Sequence, residues 1–152
     1  NALRNETRKR IFKYVSQNPG VHLRGIMKDL GLTPNEAYYH LGVLEKFRLI
    51  ECQRLNSSVI YYPRGMGKRA RKLGVARLAL RSPLAKEVVK YVLQHQGAEA
   101  ADIAAELGVD KRLVDYHVKK LVGAGLLIRD SDGGGKLYVR NLSVLKDIGL
   151  LS

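Results

Sequence analysis

Acidic side chains are scarce in this chain: 14 Asp and Glu stand against 27 Lys and Arg over 152 residues, leaving a formal charge of +13. Such a surplus repels itself in a compact state and points to a polyanionic partner, either nucleic acid or an acidic membrane surface. Cysteine is scarcer still. Cys52 has no second thiol in the chain, which excludes an internal disulfide framework and a thiolate metal site, and fits a reducing cytoplasm. Apolar runs last only a few residues, too short to span a bilayer, and no secretory leader pattern opens the chain. An initiating methionine is absent too. The start, Asn1-Ala2, reads as the remnant of a cleaved tag on an excised fragment, with more of the parent protein on its N-terminal side. A phosphate-binding loop, a paired-carboxylate site and a nucleophile motif are all missing, so the chain reads as a non-enzyme with no metal and no cofactor.

What is present has the makeup of an ordinary soluble globular protein, with 45% hydrophobic and 27% charged residues. The positive charge is unevenly placed. Residues 1–63 carry a net +5 and residues 83–152 only +1, whereas residues 64–82 hold seven basic side chains and no acidic one. A bound anion is therefore expected on the first part and the middle.

An internal repeat sets the organisation. Lys13-Tyr14-Val15 recurs as Lys90-Tyr91-Val92, Gly20 as Gly97, Leu30-Gly31 as Leu107-Gly108 and Tyr39-His40 as Tyr116-His117. Leu44, Leu49 and Tyr61 recur as Leu121, Leu126 and Tyr138, always at an offset of 77. One unit of about sixty residues is used twice, near the lower size limit for a self-sufficient core. The boundaries read as a first domain over 1–63, a basic linker over 64–82, and a second domain over 83–152 with a short amphipathic tail.

Each unit reads as three helices and a hairpin. Ile11, Phe12 and Val15 follow helical spacing until Asn18-Pro19-Gly20. A short helix from about residue 22 to 30 ends at Gly31, suited to a left-handed turn. Thr33-Pro34-Asn35-Glu36 supplies an N-cap, a proline at the first helical position and a capping glutamate for a third helix to about Phe47, with Ala37, Leu41 and Leu44 on one face. Strands over 49–53 and 59–62 flank an Asn56-Ser57-Ser58 turn. The second unit repeats this with helices near 84–96, 100–107 and 111–124 and strands near 126–129 and 136–140. Its turn runs from Asp130 through Ser131, Asp132, Gly133 and Gly134 to Gly135. The fold class is thus mainly α with small β-hairpin wings, the plan of two tandem winged helix-turn-helix domains.

Asn18-Pro19-Gly20-Val21-His22-Leu23-Arg24, Gly31-Leu32, Tyr39-His40-Leu41 and Leu44-Glu45 resemble the first unit of archaeal tandem winged-helix regulators related to the ArsR and MarR families. Ala101-Asp102-Ile103-Ala104 and Asp115-Tyr116-His117-Val118 resemble the second. The resemblance implies double-stranded DNA as partner and control of transcription, as repressor or activator, with a sensory input that differs between members. Some members place the pair behind a membrane-anchored portion, which would suit a truncated start.

In such a fold the third helix enters the major groove. Opposite Val114, Val118 and Leu121 the helical wheel places Arg112, Tyr116, Lys119 and Lys120; the first unit has Asn35, Tyr39, Gly42 and Lys46 there. Arginine can bridge a guanine, and asparagine an adenine; the bland alternative is two solvated helix faces. Arg54 and the Asn56-Ser57-Ser58 tip suit phosphate contact. In the second wing Asp130 and Asp132 would repel phosphate, leaving Arg129, Lys136 and Arg140 to help. Lys68, Arg69, Arg71 and Lys72 read as a phosphate clamp or as a merely solvated linker, with residues 73–81 docking onto one unit. Extended at about 3.3 Å per residue, the nineteen linker residues reach about 60 Å. Tyr39-His40 and Tyr116-His117 read as packing histidines rather than a pH switch or metal site, and Cys52 as a buried, inert thiol in a strand. The tail either closes the second core or pairs two chains as a homodimer. Two rival functions remain: a winged-helix scaffold for protein partners, and RNA binding through the basic linker.

Overall fold

The side chain of Asn5 accepts a hydrogen bond from the Arg8 N–H and starts helix α1 (Glu6–Gln17), with Glu6 in its first turn where the helix dipole favours an acid. The computed structural model, which describes residues 1–130 and 134–151, continues with β1 (Val21–His22), α2 (Leu23–Leu30), α3 (Pro34–Lys46), β2 (Ile50–Leu55), β3 (Ser58–Pro63) and α4 (Gly67–Ala79). Then come α5 (Pro83–Gln94), α6 (Ala100–Leu107), α7 (Lys111–Gly123), β4 (Leu127–Arg129), β5 (Leu137–Val139) and α8 (Leu142–Asp147). Two compact units result, Asn1–Gly74 and Val75–Ser152. Among the described residues no helix is long and apolar enough to cross a membrane.

In the first unit Ile11, Val15, Ile26, Ala37, Leu41 and Leu44 close one core with Ile50 and Tyr61. Burying each of the larger side chains contributes about 1.5–3 kcal/mol. Ala2, in a short 3-10 turn ahead of α1, is part of that core. The sheet has the order β1-β3-β2, antiparallel throughout. The expected capping box is formed: Thr33 accepts from the Glu36 N–H and Glu36 accepts from the Thr33 N–H, both at 3.2 Å. Gly31 and Gly108 end α2 and α6 with φ of 65° and 66°. Between β2 and β3 the strands run longer than expected and the turn is shorter, since Leu55 pairs with Ser58 and only Asn56 and Ser57 lie between.

The second unit reproduces the turns of the first at the repeat offset of 77, while its hairpin is shifted by one residue. Gly20 N–H donates to the Tyr61 carbonyl and Gly97 N–H to the Leu137 carbonyl; Leu32 to Met27 is matched by Val109 to Ala104, and Leu49 to Leu44 by Leu126 to Leu121. Ala85, Val88, Val89, Val92, Val114, Val118 and Leu121 are buried. Val144 and Leu145 of α8 are buried as well, so the tail packs into this unit's interior. The β4–β5 hairpin pairs Leu127 with Val139 and Arg129 with Leu137. Of its tip, Ser131, Asp132 and Gly133 lie outside the described residues, and with them the expected repulsion of phosphate by Asp132.

The largest departure from expectation lies in residues 64–82. Thirteen of the nineteen form a helix, α4, so the extended reach does not exist: a helix of that length covers only about 20 Å at about 1.5 Å per residue. Ala70, Leu73, Gly74 and Ala76 recur at helical spacing and are buried. Dense basic residues between them hid that stripe. Within the first unit α4 lies against the turn after α1. A Cβ at Gly20, whose φ is 87°, would stand 2.4 Å from the Ala70 carbonyl oxygen. One at Gly74 would press on Leu55 and Ile60 at 3.0–3.1 Å. His22 Nε2 donates to the Gly74 carbonyl at 3.2 Å.

Candidate nucleic-acid interface

Helix α3 is anchored by Ala37, His40, Leu41 and Leu44. Its other side brings Asn35, Tyr39, Gly42 and Lys46 to the surface, all exposed, as a continuous polar and aromatic strip. Tyr38 joins them at 59% exposure, beside Tyr39 at 64%. The wheel did not single out Tyr38, which lies only about 60° from Leu41, at the flank of the buried face. Helix α7, anchored by Val114, Val118 and Leu121, likewise exposes Arg112, Tyr116, Lys119 and Lys120. The two strips differ in charge. Around α3 the charged groups are Glu36, Glu45 and Lys46, whereas α7 carries Lys111, Arg112, Lys119 and Lys120 against Asp115, with Asp110 at its cap.

Arg112 is not idle. Its Nε and Nη2 atoms donate to Asp110 Oδ1 and Oδ2 at 3.2 and 3.0 Å, while Asp110 also caps the helix by accepting from the Arg112 N–H at 2.8 Å. Hydrogen bonds from the Arg112 side chain, then from its backbone, hold the Asp110 carboxyl below its ordinary range, and the same pairing raises the arginine. The fork that would bridge a guanine is therefore occupied by a neighbour two residues away. The pair is exposed, and exposed ion pairs yield readily. Lys120 lies over the Tyr116 ring, 5.2 Å from its centroid, and Lys111 is paired with Asp115 at 3.0 Å.

Lys111, Asp115, Lys119 and Val122 of α7 meet Arg129 of β4 around a shallow cleft of about 450 Å³. This joins Lys119 to the base of the second wing, a juxtaposition invisible in sequence. Lys136 and Arg140 are exposed on or beside the other strand. In the first wing Arg54 is exposed on β2, opposite Val59. On α4, Lys68, Arg71 and Lys72 share the outward side. Arg69 stands apart: it is half-buried at the flank of the apolar stripe and has an interaction of its own. Three of the four clamp residues thus point the same way.

Both Tyr-His pairs pack edge to face, with ring centroids 5.1 Å apart. Desolvation, then the charge of Arg8 at 3.5 Å from Nδ1, lowers the His40 pKa; desolvation and Lys120 lower that of His117. Both shifts favour the neutral ring. Cys52 departs from its expectation. It sits in strand β2 but is exposed, and its thiol donates to Glu45 Oε1 at 3.1 Å. Desolvation of the thiol and that carboxylate push it up to about 11, which disfavours the reactive thiolate.

Known proteins show the same two-part organisation. A family of N-terminal HTH domains matches residues 5–73, and a helix-turn-helix domain family matches residues 80–129. The chain is a tandem winged helix-turn-helix protein. It is similar to an uncharacterized HTH-type transcriptional regulator, MJ1398 of Methanocaldococcus jannaschii, at 34% identity over 144 residues, covering 95% of this chain and 36% of that protein. The chain therefore spans about a third of that relative's length. Two solved structures are more distantly similar. ScpB from Mycobacterium tuberculosis matches at 19% identity and a TM-score of 0.36, covering 93% of this chain and 94% of that one. The mRNA-binding domain of elongation factor SelB from E. coli matches at 17% and 0.29, covering 90% and 99%. Both likenesses are too loose to bear on function.

Proposed function

We propose that this chain binds double-stranded DNA with sequence preference and regulates transcription, laying α3 and α7 in major grooves and using α4 and the wings on phosphates. One observation carries the reading. Two copies of the same helix, each set by a left-handed glycine turn, present exposed side chains at equivalent positions: Asn35 and Arg112, Tyr39 and Tyr116. A solvated face has no need of exposed tyrosines, whereas a groove-reading face uses their flat, amphipathic rings. In this reading Asn35 and Arg112 contact base edges, Lys46, Lys119 and Lys120 the flanking backbone, and Arg54 and Arg129 the phosphates beside the wings. The second unit contributes most of the affinity of the two helices because its strip is the cationic one.

The test is a salt titration on duplex DNA of random sequence. Each neutralised phosphate adds about −0.9 to the slope of log K against log salt, so Lys46, Arg54, Lys68, Arg71, Lys72, Lys119, Lys120 and Arg129 together give a slope of about −7. A flat titration refutes DNA binding and favours a protein partner. Tighter binding to single-stranded or A-form RNA than to DNA refutes it in the other direction.

A further inference from the structure

The second unit carries another cleft, built without any residue of α7. It has a volume of about 560 Å³ and is lined by Arg77, Leu80 and Arg81, by Lys86 and Lys90 of α5, and by Ile148, Gly149 and Leu150 after α8. That size lies within the range of small-molecule sites. Its walls are of two kinds. Leu80 is buried and Ile148 and Leu150 are half-buried, so they offer hydrocarbon at the floor, while Arg81, Lys86 and Lys90 are exposed at the rim. No carboxylate lines the cleft among the described residues.

Two of the four cations, Arg77 and Arg81, come from the basic stretch 64–82, whereas Lys86 and Lys90 are gathered from an almost neutral part of the chain. Residues 83–152 are almost neutral, with ten basic and nine acidic side chains. Lys86 and Lys90 stand one turn apart on α5, away from Ala85, Val88, Val89 and Val92, which fill the core. Glu87 approaches Lys90 at 3.7 Å and offsets part of its charge, which leaves Arg81 and Lys86 as the principal anion binders. Gly149, with φ of 85°, turns the chain between Ile148 and Leu150.

We propose that this cleft binds a small organic anion with an apolar body, its acidic head on Arg81 and Lys86 and its hydrocarbon on Leu80, Ile148 and Leu150. Duplex phosphate matches the rim but has nothing to place on the apolar floor, and a neutral lipophile would leave the cations unanswered. An amphipathic anion satisfies both. The assignment stands independently of DNA reading, since none of the residues assigned to DNA lines the cleft.

The experiment titrates the whole chain with 8-anilinonaphthalene-1-sulfonate by fluorescence, then displaces the probe with decanoate, decanol or inorganic phosphate. One saturable site is expected, emptied by decanoate but not by decanol or phosphate at equal concentration. The double variant Arg81→Glu/Lys86→Glu should weaken probe binding about tenfold or more, and Leu150→Ser should weaken it while leaving the melting temperature within a few degrees. Arg112→Ala should bind the probe as the parent does. Unchanged probe affinity in the double variant overturns the proposal. So does displacement by phosphate as effective as by decanoate, which marks a plain anion patch, or equal displacement by decanol, which marks a merely greasy surface.

Discussion

Replacing Gly20 by alanine tests the docking of α4 directly, because the repeat supplies its own control at Gly97. Both glycines have positive φ, 87° and 92°, so an L side chain at either costs about 1–2 kcal/mol through backbone strain alone. They differ in what the new methyl meets. At Gly20 it would lie 2.4 Å from the Ala70 carbonyl oxygen and 3.0 Å from the Gly74 nitrogen, backbone atoms of α4 that can retreat only if the helix shifts. At Gly97 the nearest atom is the Tyr138 hydroxyl oxygen at 3.4 Å, an ordinary contact at the far end of a side chain. Forcing a group into a packed site costs about a further 1–3 kcal/mol. Gly20→Ala should therefore cost about 2–5 kcal/mol and Gly97→Ala about 1–2 kcal/mol. Native-state hydrogen exchange separates the units, since the amides of Val15 and Val92 occupy equivalent places in the two cores and each reports its own unit's opening. Equal losses at the two positions would refute the packing of α4 on the first unit. So would protection of the α4 amides that survives Gly20→Ala unchanged.

Neutralising Lys68, Arg71 and Lys72 together should weaken binding to every duplex about equally and flatten the salt slope by about 2–3, with Arg69 adding less because it is half-buried and already engaged; filter binding at several salt concentrations reads this. Arg112→Ala should lose about tenfold to a hundredfold on the preferred site and relax one base position, and Asn35→Ala should lose less, at a different base; equal loss on specific and random duplexes would assign either residue to phosphate instead. Asp110→Asn keeps an N-cap while releasing the Arg112 fork, so it should tighten binding, and weaker binding would count against Arg112 as a DNA contact. The depressed pKa of His40 means that the unfolded chain takes up a proton near about 6.5 while the folded one resists. Stability of the first unit should therefore fall as pH drops below about 6.5 and through the folded value, and His40→Gln should flatten that dependence in thermal melts.

Much of the architecture is written locally. The Thr33-to-Glu36 capping box, the left-handed stops at Gly31 and Gly108 and the apolar spacing of α3 and α7 act within one or two helical turns, so their residue types announce them. The repeat offset of 77 reappears as matched backbone hydrogen bonds for the same reason: identical local instructions build identical turns. The outward faces of α3 and α7 were legible too, because burying Leu41 or Val118 turns Tyr39 or Tyr116 into solvent.

Other features depend on groups that meet only once the chain has folded. Gly20 and Ala70 lie fifty residues apart, and although Ala70, Leu73, Gly74 and Ala76 recur at helical spacing, nothing near either residue says that this basic helix will seat on the turn at Gly20. Arg48 adopts φ of 60° where its counterpart Gly125 has 76°, so backbone strain at that corner is imposed by the turn from α3 into β2 and not signalled by the residue. The amphipathic cleft of the second unit draws on residues 77–90 and 148–150, and the cleft beside the second wing joins Lys119 to Arg129. Sequence determined the helices of the two repeated units and which sides they bury, through contacts within a few residues. The tertiary structure decided which distant charges converge, because that depends on how helices pack rather than on how they start and stop.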